Sequence, residues 1–193
     1  MNDIEQRIKI NGVKSGLLLG LIITGLSILS YYFITSITKS PVLFVAVPII
    51  FSVFIPIFCV VFICFNARKS VGGYWTFKQA TTGIFTMFLI AYLVQFIGKS
   101  IIFDRFVEPN GIQKTQTAAI NAKADILKQR GNDQKIIDKD IAEMKKDFTQ
   151  QQNTSVGSTI QGIVISILFI FLLALIFGSL FKKDPPEYIN PNQ

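Results

Sequence analysis

The sequence predicts an all-α integral membrane bundle of four transmembrane helices, with an extracytoplasmic helical hairpin between helices 3 and 4. Three observations carry this. The chain of 193 residues is 50% hydrophobic and only 16% charged, against about 25% charged in an ordinary soluble domain. Its charges are segregated: none falls within 15–38, 40–67, 79–98 or 148–181. Each window holds an apolar run long enough to cross a hydrocarbon core of about 30 Å, which takes about 20 helical residues. The basic residues also gather at alternate connections. Arg7, Lys9 and Lys14 precede the first run, Arg68, Lys69 and Lys78 join the second to the third, and Lys182 and Lys183 follow the fourth; the first connection has only Lys39. This is the positive-inside pattern, and it places both termini and the 66–78 connection in the cytoplasm.

Helix is the form the runs demand. In lipid every backbone N–H and C=O is paired within its own segment or in a closed barrel, and a stretch such as GIVISILFIFLLALIFG has none of the alternation of a barrel strand. Residues 1–15 form a cytoplasmic N-terminal segment, either a short helix of its own or an extension of the first span. The first span, 16–37, is longer than a signal-peptide core and no A-x-A-like cleavage site follows it, so it reads as a retained anchor. Gly12, Gly16 and Gly20 recur at spacing four and share one face, where a second helix can approach closely. Packing within the chain and homodimerisation are both open uses of that face.

The second span, 42–65, follows Pro41, which suits a first helical turn. Pro48 and Pro56 lie inside it. Each removes a helical hydrogen bond and bends the helix, which makes them candidate hinges or static kinks. Cys59 and Cys64 are five apart on the same helix, face different sides, and are read as unpaired packing residues. The connection to the third span contains Gly72, Gly73, Tyr74, Trp75, Thr76, Phe77, Lys78 and Gln79. The glycines permit a turn with positive φ, and Tyr74 and Trp75 suit the headgroup boundary. Thr76 with Gln79 reads as a capping box, and the neighbouring basic residues meet anionic lipid. Gly72-Gly73 lacks the G-x-G-x-x-G spacing and follows no strand, so it is not a dinucleotide loop.

The third span, 80–98, carries one strongly polar residue in its apolar run, Gln95, with Tyr92 one turn earlier. An amide in lipid needs a partner, so the pair is a candidate intramembrane polar contact. The connection 99–155 has ten Lys/Arg and eight Asp/Glu. Such long, balanced loops weigh little in the orientation rule, and four spans from a cytoplasmic start put it outside. Asp104, Arg105 and Glu108 are candidates for local pairing. One helix is expected over about 113–129, a break at 130–133, and a second helix with Ile137, Ile141, Met144 and Phe148 in a single stripe. The stripe can pack on the first arm, lie on the membrane or bind a partner. Span four, 156–181, is followed by a cytoplasmic tail, 182–193, whose composition predicts disorder.

The same residues exclude much chemistry. Histidine is absent, which removes the commonest general base and metal ligand. No ionisable side chain lies inside a span, which argues against a proton relay or an ion-coupled pump. No catalytic, cofactor-binding or metal-binding residues are assigned, no cofactor is expected, and the chain is read as not an enzyme. The charge distribution points to the lipid bilayer as partner, with the chain itself or another membrane protein, and not to nucleic acid.

KSGLLLGLIITG at the first span and GGYWTFKQA before the third resemble a family of small four-helix membrane proteins, common in Bacteroidetes-type bacteria and catalogued as domain of unknown function 4199. The similarity covers nearly the whole chain. It implies an inner-membrane location in a Gram-negative bacterium, which with the N-in, C-in orientation of the charge pattern makes the 99–155 loop of this multi-pass chain periplasmic, and it supplies no site residues. The expected function is that of an uncharacterised, non-enzymatic structural or accessory protein acting through helix-helix or periplasmic contacts. The alternative is a small-molecule or ion transporter or channel with a path near the Pro-kinked second helix.

Overall fold

A computed structural model describes residues 3–152 and 156–184. The elements are α1 (Asp3–Tyr32), α2 (Pro41–Ile49), α3 (Ile55–Ser70), α4 (Phe77–Gln95), α5 (Gly111–Gln129), α6 (Gln134–Gln152) and α7 (Val156–Phe181). Three π-helical stretches extend them: Phe33–Ile37 after α1, Ile50–Phe54 between α2 and α3, and Phe96–Val107 after α4. No strand occurs among the described residues. Four helical runs are long and apolar enough to cross a membrane: Ile4–Ile37, Pro41–Ser70, Phe77–Val107 and Ile160–Phe181. The protein is an all-α, multi-pass membrane bundle.

The spans are longer than the apolar windows that announce them. Residues 3–15 form no separate helix; they are the first turns of α1. At 1.5 Å per residue, the 34 residues of Ile4–Ile37 reach roughly 50 Å, well beyond a core of about 30 Å. The helical run that holds the second span is Pro41–Ser70, enclosing 42–65, and that of the third is Phe77–Val107, enclosing 80–98. In the second span, a proline at 56 cannot donate to a carbonyl one turn back. The helix widens to π geometry just before it, and Ser52 Oγ donates to the Pro48 carbonyl at 2.6 Å.

α4 is the central helix, packed between α1 and α7, while α1 also borders α3. Small residues set the first contact. A Cβ on Gly12 would lie 2.9 Å from the Gly83 carbonyl oxygen, on Gly16 2.6 Å from that of Met87, and on Gly20 2.6 Å from Val94 Cβ. The glycine face therefore lies against α4 of the same chain, leaving no room for a second copy along it. Across α4, Ala174, Gly178 and Phe181 of α7 are buried, and a Cβ on Gly178 would meet the Thr81 Cα at 3.1 Å. Leu19, Cys64, Ile84, Met87 and Ala91 fill the core. Both cysteines are free.

α5 and α6 form a hairpin. Gly131, at φ +74°, closes α5: its N–H bonds the Lys128 carbonyl at 3.0 Å and that of Asn132 bonds Leu127 at 3.2 Å, which is a Schellman motif. Leu127 and Ile137 are buried between the arms, Ile141, Met144 and Phe148 are half-buried, and Lys123 on α5 pairs with Asp140 on α6 at 3.5 Å. The apolar stripe thus belongs to the hairpin's own interior. Tail residues 185–193, with the disorder expected of them, lie outside the described residues. Residues 182–184 are described, and Lys183 is held by backbone hydrogen bonds.

Candidate functional site

Two constructions occupy opposite ends of the bundle. At the end where α1 begins and α7 finishes, the 71–76 turn joins the four spans. Gly72 and Gly73 have φ of +100° and +84°, a region favouring glycine because it has no Cβ. Thr76 caps α4: its Oγ1 accepts from the Gln79 N–H at 3.4 Å, and the Thr76 N–H donates to Gln79 Oε1 at 3.1 Å. Trp75 lies at this end of the bundle but is turned into the protein. It is buried at 3% exposure, against Gly83 and Ile8, and its backbone exchanges two hydrogen bonds, 2.7 and 2.8 Å, with Lys183 beyond α7. Tyr74 stays exposed, under the Lys183 ammonium at 5.7 Å.

Side chains extend this clasp. Arg7 and Asn11 of α1 donate to the carbonyl and hydroxyl oxygens of Ser70, at 3.4 and 2.9 Å. Arg68 donates to the Phe181 carbonyl at 3.5 Å and stacks on Phe65, so it serves α3 and α7 as well as any lipid. Phe77, Lys78 and Lys69 remain exposed. The sequence signature is therefore a structural joint linking α1, α3, α4 and α7.

At the other end, the π-helical run Phe96–Val107 carries charges that read in sequence as a loop. Hydrogen bonds there run from each N–H to a carbonyl five residues back, so positions five apart stack. This places Lys99 over Asp104, with which it pairs, and 4.8 Å from the Phe103 ring centroid. Phe103 meets Tyr31 and Tyr32 edge-on at 5.2 and 5.8 Å. Lys114 of α5 pairs with Glu108 at 2.7 Å, and the Glu108 carboxylate holds the Lys114 ammonium above the ordinary lysine range. Asp104 and Glu108 thus pair with lysines on either side, and neither pairs with Arg105.

These contacts seat α5 against α2 and the turn after α1. Between them is a cleft of about 720 Å³. One wall is a single face of α5, where Gln113, Thr117, Asn121 and Lys128 recur at helical spacing; the other is the first connection, with Thr35, Thr38, Lys39 and Ser40. Ile34 and Phe44 line it where the spans begin. Lys39 and Lys128 are exposed and have no ion-pair partner among the described residues. Sequence reading missed this site. Its only signal is the polar face of α5, and a polar face on a hydrated helix ordinarily means solvent.

The remaining candidates are less connected. Pro56 is buried and Pro48 half-buried, on either side of the π-helical turn Ile50–Phe54. Gln95 is half-buried at the end of α4 and makes no side-chain hydrogen bond among the described residues, so the expected contact across the bundle is not formed there. Tyr92 stacks on Phe96 at 6.4 Å instead. Among the described residues no group of three or more acidic or cysteine side chains is arranged to hold a metal ion.

Comparison with protein-family models matches residues 14–183 to a family described as "Protein of unknown function (DUF4199)". No curated protein and no solved structure matches.

Proposed function

The chain belongs to that family, and from this premise we propose that it is a non-enzymatic accessory or structural protein of the inner membrane, acting through contacts made by its hairpin. Both termini and the 71–76 turn face the cytoplasm in this reading, and α5 and α6 stand in the periplasm. The observation that carries it is the contrast between the two parts of the molecule. The spans bury no whole polar or charged residue among those described, and α1 and α4 close on each other through glycine. The hairpin is ion-paired, polar outside, and seated on the outer ends of the first two spans. A polar, ion-paired platform on a tightly packed anchor supports recognition better than it supports transport or catalysis.

Amine-directed crosslinking in intact membranes, followed by gentle extraction and native mass spectrometry, tests the reading. Crosslinks from α6 lysines such as Lys139, Lys145 and Lys146 to a second protein or second copy are expected. A lone monomer without such crosslinks contradicts it. One observation favours the alternative of a conduit along span two: the π-helical turn between Pro48 and Pro56, since broken helices line transporter sites. Water-soluble thiol reagents reaching cysteines placed at 48–56 would favour that alternative, and uniform protection would remove it.

A further inference from the structure

We propose that the cleft between α5 and the first connection binds a phosphate-bearing anion through Lys39 and Lys128. The inference goes beyond the contact role and does not depend on it.

The volume, about 720 Å³, falls within the range of small-molecule sites, roughly 300–1,000 Å³. The lining fixes the ligand's chemistry. It holds three lysines, Lys39, Lys114 and Lys128, and a single carboxylate, Asp125. Lys114 is already engaged by Glu108, while Lys39 and Lys128 have no anionic partner among the described residues. An ammonium is a compact point charge with three donors, well suited to phosphate oxygens. The hydroxyl and amide groups of Thr38, Ser40, Thr117 and Asn121 add neutral donors and acceptors for the rest of a polar headgroup. Asp125 lies on the same face of α5 as Lys128 and suits a hydroxyl or ammonium next to the phosphate.

The position adds a second argument. Ile34 and Phe44 belong to the adjoining ends of spans one and two, so the cleft combines a polar lining with an apolar edge at the end of the bundle. A lysine there is within reach of phospholipid phosphates, which an ammonium binds as a point charge. A phospholipid and a soluble phosphate ester share the chemistry, and the experiment separates them.

The full chain, purified in detergent, is titrated with phosphatidylglycerol and separately with sn-glycerol 3-phosphate. Binding is read by native mass spectrometry and by the shift in melting temperature. Lys39→Gln/Lys128→Gln is compared with Lys145→Gln/Lys146→Gln on α6. Both pairs are exposed, and unfolding without ligand confirms that each variant is folded. The cleft variant is expected to bind at least one ligand roughly tenfold or more weakly than the parent, as loss of charge-assisted hydrogen bonds requires, with the α6 variant unchanged. That contrast with phosphatidylglycerol alone identifies a lipid headgroup; with glycerol phosphate, a soluble ester. Failure of the parent to bind either ligand, equal binding by the cleft variant, or equal loss in the α6 variant would overturn the proposal.

Discussion

Single positions in this bundle differ by whether a neighbour's backbone stands where a side chain would go. Gly16 and Gly25 share α1. A Cβ on Gly16 would collide with α4, whereas one on Gly25 meets nothing within 4 Å. Gly16→Leu should therefore cost about 1–3 kcal/mol through overpacking, and Gly25→Ala should be neutral or gain up to about 1 kcal/mol from helix propensity. Thermal unfolding in detergent reads both, and equal effects would contradict the assigned α1–α4 face. Trp75 gives a second test, since it is the chain's only tryptophan. Its burial predicts blue-shifted emission and weak quenching by acrylamide, whereas a tryptophan at the headgroup boundary would be readily quenched. The glycine spacing made a close helix contact legible without identifying its partner. The inward turn of Trp75 is not legible, because nothing near it in sequence reveals its pairing with Lys183.

At the level of elements, uncharged windows locate the apolar helices well and the helix ends badly. Thr76 and Gln79 announced the start of α4, and the reciprocal capping bonds are present. Thr76→Ala should cost about 1 kcal/mol, with Thr76→Ser restoring most of it. The far end of the same span was illegible because Lys99, Asp104 and Arg105 read as loop. Pairing at π-helical spacing lets Lys99 and Asp104 continue the helix, and no pattern with a period of 3.6 anticipates that. Pairing also sets a pH dependence for the seat of α5. Lys114 has its folded pKa raised by Glu108. Its contribution is therefore fully present below the ordinary lysine pKa and is lost as pH rises through the higher folded value. Amide exchange in the first turn of α5, corrected for intrinsic rates, should accelerate on that alkaline side, and Glu108→Gln should abolish the dependence. A flat profile in the parent would remove Lys114 from the docking contacts.

For the whole molecule, the clasp and the hairpin divide the work. The clasp ties α1, α3, α4 and α7 together at one end, with Trp75 of the GGYWTFKQA motif paired to Lys183 and with Arg7 and Arg68 bridging to Ser70 and Phe181. The hairpin is a separate helical pair seated on spans one and two. Composition made that division visible, because the charge-balanced 99–155 region stands apart from four uncharged runs. The cleft was hidden because its walls come from residues 34–44 and 110–128, brought together only when α5 docks. In the proposed topology these two ends face opposite sides of the membrane, with the hairpin outside. The most direct measurement is labelling of single cysteines in intact cells by a membrane-impermeant maleimide, with Cys59 and Cys64 replaced by alanine. Lys145→Cys on α6 should label in intact cells, and Lys69→Cys beside the turn only after permeabilisation. The reverse order, or labelling of both in sealed cells, would contradict the account.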